Sequence, residues 1–225
     1  MDFLLDRQNI FKDLDPQVLD SLQEEARIER VQTKDILFRE GEVLGRVYFA
    51  KSGQYALYKL SHSGEKRIIF TLGPGEVLNY PEPHPRPMSI SCQALKGGQL
   101  ISFSQEALVE AMKKDPSLAL GALDLYNLRL RRLYRQLKNA SGSIRLDKRI
   151  AAKLWKLSRD YPLDHPLGTA IDMNLSMTLL AQHLGASRES VSRQAKRLMD
   201  QDLVLYQQST WIIPNRKKLE AYFRP

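Results

Sequence analysis

Apolar residues along this chain change their spacing twice, and each change marks a new kind of predicted element. An opening segment, Phe3–Arg27, has helical spacing, with Asp15 and Pro16 placed to begin a helix. Short β-type runs separated by glycine turns then extend from Ile28 to Ser104, as in a small antiparallel barrel or sandwich. Beyond Ser104 the spacing becomes helical. The pattern predicts an α+β protein.

The β-type runs give a series of predicted strands, and a proline-rich segment lies between two of them. The strands are Asp35–Phe38, Val47–Ala50, Tyr55–Leu60, Lys66–Leu72, Met88–Leu95 and Gln99–Ser104. The segment Pro81–Pro87 has proline at every second position. Prolines so spaced cannot join a central ladder and favour an extended path. We expect an exposed loop here, with a ligand lid or a partner contact as the alternative.

A strict heptad pattern follows the β-type part. Its apolar residues succeed one another at spacings of 4, 3, 4, 3 and 4, and they are Ala119, Leu123, Tyr126, Leu130, Leu133 and Leu137. The opposite face carries Arg129, Arg132 and Arg135. A stripe this long favours pairing with a second helix and predicts a parallel homodimer. The alternative is a single amphipathic helix that packs on its own domain.

Further elements are predicted after this helix. The small polar stretch Asn139–Ser143 is the predicted hinge. The segments that follow it and precede the C-terminus are a helix over Arg145–Ser158, a Pro-rich loop over Tyr161–Gly168, strands over Leu203–Gln207 and Thr210–Pro214, and a closing helix over Lys217–Phe223. The two strands are joined at Gln208-Ser209 and are predicted to form a hairpin or wing.

The stretch Ser176–Asp202 predicts two short helices joined by a tight turn. Ser176 is placed to cap the first helix, Met177–Leu184, and Gly185 tolerates the left-handed conformation that ends it. Ser187 is placed to cap the second helix. Two short helices with a glycine-containing turn form a helix-turn-helix.

The second of these helices has an apolar stripe and a polar face. The stripe consists of Val191, Ala195 and Leu198. The polar face carries Arg188, Glu189, Ser192 and Arg193. This end of a recognition helix enters the major groove, so the pattern favours DNA binding over a plain surface helix pair. Gln194 departs from the pattern, because it falls where such helices bury an apolar residue.

Charge is distributed to suit a polyanionic partner near the C-terminus. The net charge is +8, and residues 145–225 hold 14 Lys and Arg against 8 Asp and Glu. Such an excess attracts DNA. The acidic N-terminus lacks the features of a signal peptide, and the sequence contains no apolar stretch of membrane-spanning length. We therefore expect a cytoplasmic protein without membrane contact.

Residues suited to catalysis or metal binding are few. Cys92 is the one cysteine, which excludes disulfides and Cys-rich iron–sulfur sites and favours buried packing over a redox switch. His62 and His84 are available as haem ligands, but a lone histidine is more often a surface residue. P-loop, G-x-S-x-G and H-E-x-x-H motifs are missing from the sequence. We predict no enzymatic activity, no catalytic residue, no metal site and no cofactor.

The order of these elements, with several short motifs, resembles the CRP/FNR family of bacterial transcription regulators. Gly185–Arg193, GASRESVSR, is similar to the family's G-x-S-R-E-x-V-x-R recognition motif. Its β-domain motifs are resembled by Phe38–Glu42, by Val47–Phe49 with Lys51–Gly53, and by Gly64-Glu65 with Leu72–Glu76. The resemblance implies an N-terminal β-roll over residues 1–105, a long dimerisation helix over 106–140 and a winged helix-turn-helix over 141–225.

The resemblance also implies which residues meet DNA. Arg188 and Arg193 would form bidentate bonds to guanines, and Glu189 would accept a bond from a cytosine amine. Ser192 would contact a base or a methyl group. The implied phosphate contacts are Ser187, Ser190 and Thr178.

The implied assembly is a homodimer on a palindromic operator, with half-sites similar to TGTGA or TTGAT and with RNA polymerase as a partner. The alternative is a ligand-binding module whose helix-turn-helix is a protein-interaction surface.

The effector pocket departs from the cyclic-nucleotide binders of this family. Asn79-Tyr80 stands where they carry Gly-Glu, and Arg86 is followed by proline, with Ser89 displaced from it. Their dimer-helix hydroxyls correspond to Leu133-Tyr134. The candidate effector contacts are Asn79, Tyr80, Arg86, Ser89 and Tyr134. We expect an unknown small-molecule effector other than cAMP, or a constitutive regulator.

Overall fold

The computed structural model describes residues 10–140 and 144–224, with side chains of the long helix described through Leu137. These residues form two compact units. The first takes in the chain through Lys59 together with Ile69–Gln136, and the second takes in Leu60–Ile68 and the chain from Leu137 onward. Most of the segment predicted to be a separate dimerisation helix thus groups with the β-domain. In the described part of the chain, every helix is too short or too polar to cross a membrane.

The first helix, α1 (Pro16–Glu25), begins at the predicted cap. The Asp15 carboxylate accepts a 2.8 Å hydrogen bond from the amide of Gln17. Pro16 occupies the first helical position, where a missing amide proton costs nothing. Val18 and Leu22 are buried on its inner face. Of the predicted helical segment before this cap, residues 10–13 form a turn and residues 3–9 lie outside the described residues.

Two antiparallel sheets follow α1 along the chain. Their strands are β1 (Arg27–Val31), β2 (Ile36–Phe38), β3 (Arg46–Ala50), β4 (Gln54–Leu60), β5 (Lys66–Leu72), β6 (Ser91–Lys96) and β7 (Gly98–Ser104). One sheet has the order β1-β7-β3 and the other β2-β6-β4-β5, which leaves β5 at an edge. The predicted β-domain is confirmed, with strand ends shifted by up to three residues and β1 as an additional strand.

Two apolar clusters stabilise this unit. In the first, the rings of Phe11, Phe49 and Phe103 pack with centroids 5.3–5.8 Å apart. The second contains Tyr55 and Cys92, both fully buried. Burial of this apolar surface is the main driving force for folding of the unit.

The helical stretch predicted over residues 106–140 is two helices rather than one. They are α2 (Gln105–Lys114) and α3 (Pro116–Ala140), separated at Asp115. Pro116 cannot continue α2, because it lacks an amide proton and its ring clashes with the preceding turn. The Asp115 carboxylate accepts bonds from the amides of Ser117 (2.9 Å) and Asp15 (2.8 Å). The heptad stripe begins after this break and lies wholly on α3.

The second unit contains the helices and strands that frame the helix-turn-helix. They are α4 (Leu146–Asp160), β8 (Pro162–His165), β9 (Gly168–Ile171), α5 (Met177–Leu184), α6 (Arg188–Met199), β10 (Leu205–Gln207), β11 (Thr210–Ile213) and α7 (Arg216–Phe223). The predicted inner face of α4 is confirmed, since Ile150, Ala151, Leu154 and Leu157 are all buried. Residues 141–143 of the predicted hinge lie outside the described residues.

The prediction of a Pro-rich loop over Tyr161–Gly168 is wrong. Two strands, β8 and β9, occupy this stretch and complete a sheet of order β10-β11-β9-β8. Pro162 is tolerated because it is the first residue of an edge strand. At Gly168 the φ angle is +133°, and a Cβ atom would lie 2.3 Å from the carbonyl oxygen of Ile213. Only glycine fits there. Gly168 therefore marks a close approach between two paired strands and not a loose loop.

Candidate nucleic-acid interface

The first helix of the helix-turn-helix begins and ends as its sequence predicts. The hydroxyl of Ser176 accepts a 3.1 Å bond from the amide of Leu179. Gly185 ends α5 in the left-handed conformation, with φ of 58° and ψ of 48°. The Arg149 guanidinium of α4 donates a hydrogen bond to the carbonyl of Leu184, one of the acceptors that the end of α5 leaves unpaired. These contacts fix the turn that aims α6.

The second helix, α6, is capped and anchored as predicted. Ser187 accepts a bond from the amide of Ser190 (3.3 Å), and its hydroxyl donates to that of Ser190 (3.0 Å). Val191, Ala195 and Leu198 are each fully buried against the unit's core. The burial of one stripe settles which side of α6 faces solvent.

The exposed side of α6 carries the predicted DNA-reading residues. Arg188, Glu189, Ser192 and Arg193 are exposed. Within residues 10–140 and 144–224, the side chains of these four make no hydrogen bond or ion pair. Thr178, near the start of α5, is exposed as well, and Ser190 is half-buried. Two arginine forks and a carboxylate therefore project from one surface with their bonding capacity unused.

A shallow groove runs along this side of α6 and includes a residue that the sequence analysis did not single out. Glu189, Ser192 and Arg193 line one half of the groove, and Lys196 and Met199 continue it. Lys196 lies four residues after Ser192 and seven after Glu189, so helical spacing puts it on the same face. From this spacing, Lys196 could have been predicted to lie on the DNA-reading face.

Gln194, which departs from the usual apolar pattern, is accommodated by its neighbour. Its side chain is half-buried, and its carbonyl oxygen accepts a 3.2 Å bond from Arg197. The amide oxygen is thus satisfied within α6, and the packing of the buried stripe is intact.

The predicted wing is present. β10 and β11 pair antiparallel, and the residues between them, Gln208 and Ser209, have φ angles of 48° and 64°. Two successive positive φ angles are those of a type I′ hairpin turn. The Trp211 indole of β11 donates a buried 2.8 Å bond to the carbonyl of Leu175, which ties the wing to the segment before α5.

The predicted dimer stripe on α3 is mostly exposed on this chain. Leu123 is 62% exposed, Leu137 66% and Leu130 42%, with Tyr126 exposed and Ala119 half-buried. Leu133 is the exception, because it packs against the β-domain cluster around Tyr55. The stripe therefore has four exposed members, while Ala119 and Leu133 are half-buried.

The candidate effector residues are not gathered into one cavity. Asn79 is buried, where its side chain accepts from the amide of Tyr48 and donates to the carbonyl of Arg46, both at 2.9 Å. It therefore secures β3, which corrects its expected role as a ligand contact. The remaining candidates differ in exposure: Arg86, Ser89 and Tyr134 are exposed, while Tyr80 is half-buried.

Cys92, His62 and His84 are the residues that the sequence offered for redox chemistry or haem binding. Cys92 lies in the β-domain core, where burial raises the pKa of its thiol and so disfavours the reactive thiolate. The segment Pro81–Pro87 has no regular secondary structure and is exposed from Pro83 onward, as predicted for a loop. His62 and His84 are exposed. A search of the described residues finds no cluster of His, Cys, Asp or Glu suited to a metal ion.

Comparison with known proteins identifies both parts of the chain. Residues 148–222 match the model of the Crp-like helix-turn-helix domain, and residues 28–115 match that of the cyclic nucleotide-binding domain. A CRP-like cAMP-activated global transcriptional regulator of Mycobacterium tuberculosis is 25% identical over 198 residues, which is 86% of each chain. The transcriptional activator protein Anr of Pseudomonas protegens is 27% identical over 197 residues, 83% of this chain and 76% of that protein.

Solved structures share the fold. FixK2 from Bradyrhizobium japonicum aligns with a TM-score of 0.78 at 20% identity, covering 89% of this chain and 98% of that one. The named relatives are transcription regulators and not enzymes. Because a cyclic-nucleotide-binding domain model and a Crp-like helix-turn-helix model match in this order, and because the relatives are regulators of this type, the chain belongs to the CRP/FNR family of transcription regulators.

Proposed function

We propose that this regulator is a homodimer that reads a two-fold symmetric operator with the exposed side of α6. The observation that carries the proposal is the unused bonding capacity of Arg188, Glu189 and Arg193 on a helix whose opposite stripe is fully buried. Arginine forks suit the O6 and N7 acceptors of guanine, and a carboxylate suits the N4 amine of cytosine. Half-sites similar to TGTGA or TTGAT supply these partners.

Other polar groups would set the register of α6 on the duplex without reading its sequence. Thr178 and the Ser190 hydroxyl, which accepts from Ser187 and donates to no residue that the structure describes, are suited to phosphates. Ser187 contributes chiefly through its cap of α6, and Ser192 is suited to a base or methyl contact.

The dimer would form along α3. Family members bind DNA through the helix-turn-helix and act as dimers with RNA polymerase. On this chain, Leu123, Leu130 and Leu137 present apolar surface to solvent, which a second copy of α3 would cover. Pairing of two recognition helices matches a palindromic site with half-sites about one helical turn apart. RNA polymerase is the expected protein partner, and the cytoplasm is the expected location.

Selection from random double-stranded DNA tests the proposal. We expect enrichment of a palindrome whose half-sites contain the guanines that Arg188 and Arg193 would contact. Enrichment of no sequence, with capture of a protein partner by the same surface, would instead support the alternative of a protein-interaction module. A variant at Arg197, which lies on α6 outside the groove, loses the same charge as a variant at Arg188 or Arg193 and is the control for them.

A further inference from the structure

The free edge of strand β5 is covered by side chains of a helix. Gln136 Nε2 donates a 2.8 Å bond to the carbonyl of Ile69, and Arg132 Nη2 lies 3.4 Å from the carbonyl of Thr71. The two donors are four residues apart on α3, a rise of about 6 Å. The two acceptors are two residues apart on a strand, about 6.6 Å. The spacings match, so α3 supplies donors to two carbonyls that the edge strand would otherwise leave without a protein partner.

Two arginines of α3 continue this contact onto the segment after β5. Arg129 Nη2 donates a 2.7 Å bond to the carbonyl of Val77, and its guanidinium lies 4.7 Å from the ring centroid of Tyr80. Arg132 Nη1 is 2.6 Å from the Glu76 carboxylate. Both side chains of this ion pair are less than one-third exposed, so the pair is only partly screened by solvent.

Tyr80 extends the contact by one more helical turn. Its ring stacks on that of Tyr126 with centroids 3.9 Å apart, and its hydroxyl donates a 3.3 Å bond to the carbonyl of Leu125. From Leu125 to Gln136, successive turns of α3 are therefore bonded to β5 and to the segment that follows it. These bonds leave α3 with one defined rotation about its axis, in which Leu123 and Leu130 face solvent.

We propose that Arg129, Arg132 and Gln136 act as a built-in substitute for a small-molecule effector. They hold α3 in the rotation that presents its apolar stripe, so that the chain dimerises and binds its operator without a ligand. The claim that the chain binds an operator rests on the proposed function. The claim about the dimer rests on contacts that lie within the first unit. Of the two alternatives, effector-controlled and constitutive, these contacts favour the constitutive regulator.

The test measures dimerisation of the full chain after bound small molecules have been removed by unfolding, dialysis and refolding. Sedimentation equilibrium gives the dimer dissociation constant, and mass spectrometry checks that no small molecule remains. We expect the stripped protein to dimerise as the native preparation does, within about twofold, and added cAMP to leave the constant unchanged. The double variant Arg132→Ala/Gln136→Ala should weaken dimerisation roughly tenfold, because two hydrogen bonds to the sheet edge and the ion pair with Glu76 are lost.

The matched control is Arg131→Ala/Arg135→Ala, which removes two arginines that are exposed on the same helix. It should leave dimerisation unchanged. Glu76→Gln, which keeps the side-chain shape and removes one charge, should weaken dimerisation less than the double variant and serves if that variant fails to fold. A stripped chain that dimerises only after a small-molecule extract is restored, or variants that behave like the control, would overturn the inference. A stripped dimer that binds its operator only after the small-molecule extract is restored would overturn the inference as well. A chain that binds no specific DNA either with or without that extract would contradict the proposed function instead.

Discussion

The indole Nε1 of Trp211 lies 2.8 Å from the carbonyl oxygen of Leu175, and both residues are completely buried. Trp211 belongs to the wing strand β11, and Leu175 to the segment that leads into α5. This hydrogen bond thus connects the wing to the segment before α5, which together flank the helix-turn-helix along the chain. Because no water reaches this carbonyl, loss of its donor cannot be compensated by solvent.

We expect Trp211→Phe to destabilise the chain by about 1–3 kcal/mol, since a buried acceptor is left unsatisfied and ring volume is lost. Thermal unfolding followed by far-UV circular dichroism measures the effect without depending on tryptophan fluorescence. Tyr206→Phe is the control, because Tyr206 packs beside Trp211 with ring centroids 4.6 Å apart but its hydroxyl makes no hydrogen bond among the described residues. Equal destabilisation by the two variants would contradict the assigned role of the indole.

Lys196 gives a prediction about salt dependence. Lys196 lines the same groove as Glu189 and Arg193 but lies further along α6. We expect Lys196→Ala to weaken binding to all DNA sequences alike and to lower the slope of log affinity against log salt by about one. Titrations at several salt concentrations, with operator and with unrelated DNA, measure both quantities. A loss confined to the operator would mean that Lys196 reads a base.

The dimer stripe can be tested with two leucines on one helix. Leu130 is 42% exposed within the stripe, and Leu128 is 44% exposed outside it. A carboxylate in the stripe would be buried against the partner without a counter-charge, which is strongly unfavourable. We expect Leu130→Asp to be monomeric in sedimentation experiments and Leu128→Asp to remain dimeric. Dimers of both variants would place the interface elsewhere.

His183 makes stability depend on pH. Burial, together with nearby Lys153 and Lys156, lowers the pKa of His183 well below its ordinary value. The folded chain therefore holds the imidazole neutral, while the unfolded chain takes up a proton below about pH 6.5. Stability should be constant above that pH and should fall as the pH is lowered through it. Melting temperatures between about pH 8 and pH 5 measure this trend.

We expect His183→Gln to flatten the acid side of this profile, whereas the substitution of the exposed His62 by Gln should preserve it. A profile that is equally steep in His183→Gln would assign the pH dependence to other groups.

Local features of the site could be predicted from sequence because each depends on a few neighbouring residues. Ser176, Gly185 and Ser187 mark the ends of α5 and α6, and the structure places all three as predicted. The strands β8 and β9 could not be predicted, because Pro162 and Gly168 are typical of loops unless the neighbouring strand is known.

The sequence pattern could not predict the role of a residue whose partners are distant in sequence. The arginines of α3 were predicted to lie opposite the heptad stripe, but Arg129 contacts the same Tyr80 ring as the stripe member Tyr126. Nothing local indicates that Arg129 would bond to Val77 or that Arg132 would pair with Glu76. Asn79 likewise secures β3 through contacts more than thirty residues away in sequence. Such contacts become visible only when the tertiary fold is known.

The variant Arg188→Ala tests most directly whether α6 reads bases. Affinities of the parent chain and the variant are measured for the selected operator and for operators with each base pair changed in turn. We predict a loss of about 1–3 kcal/mol on the operator and loss of discrimination at one guanine position, with the other positions read as before. An equal loss on every sequence, with discrimination intact at all positions, would contradict the account.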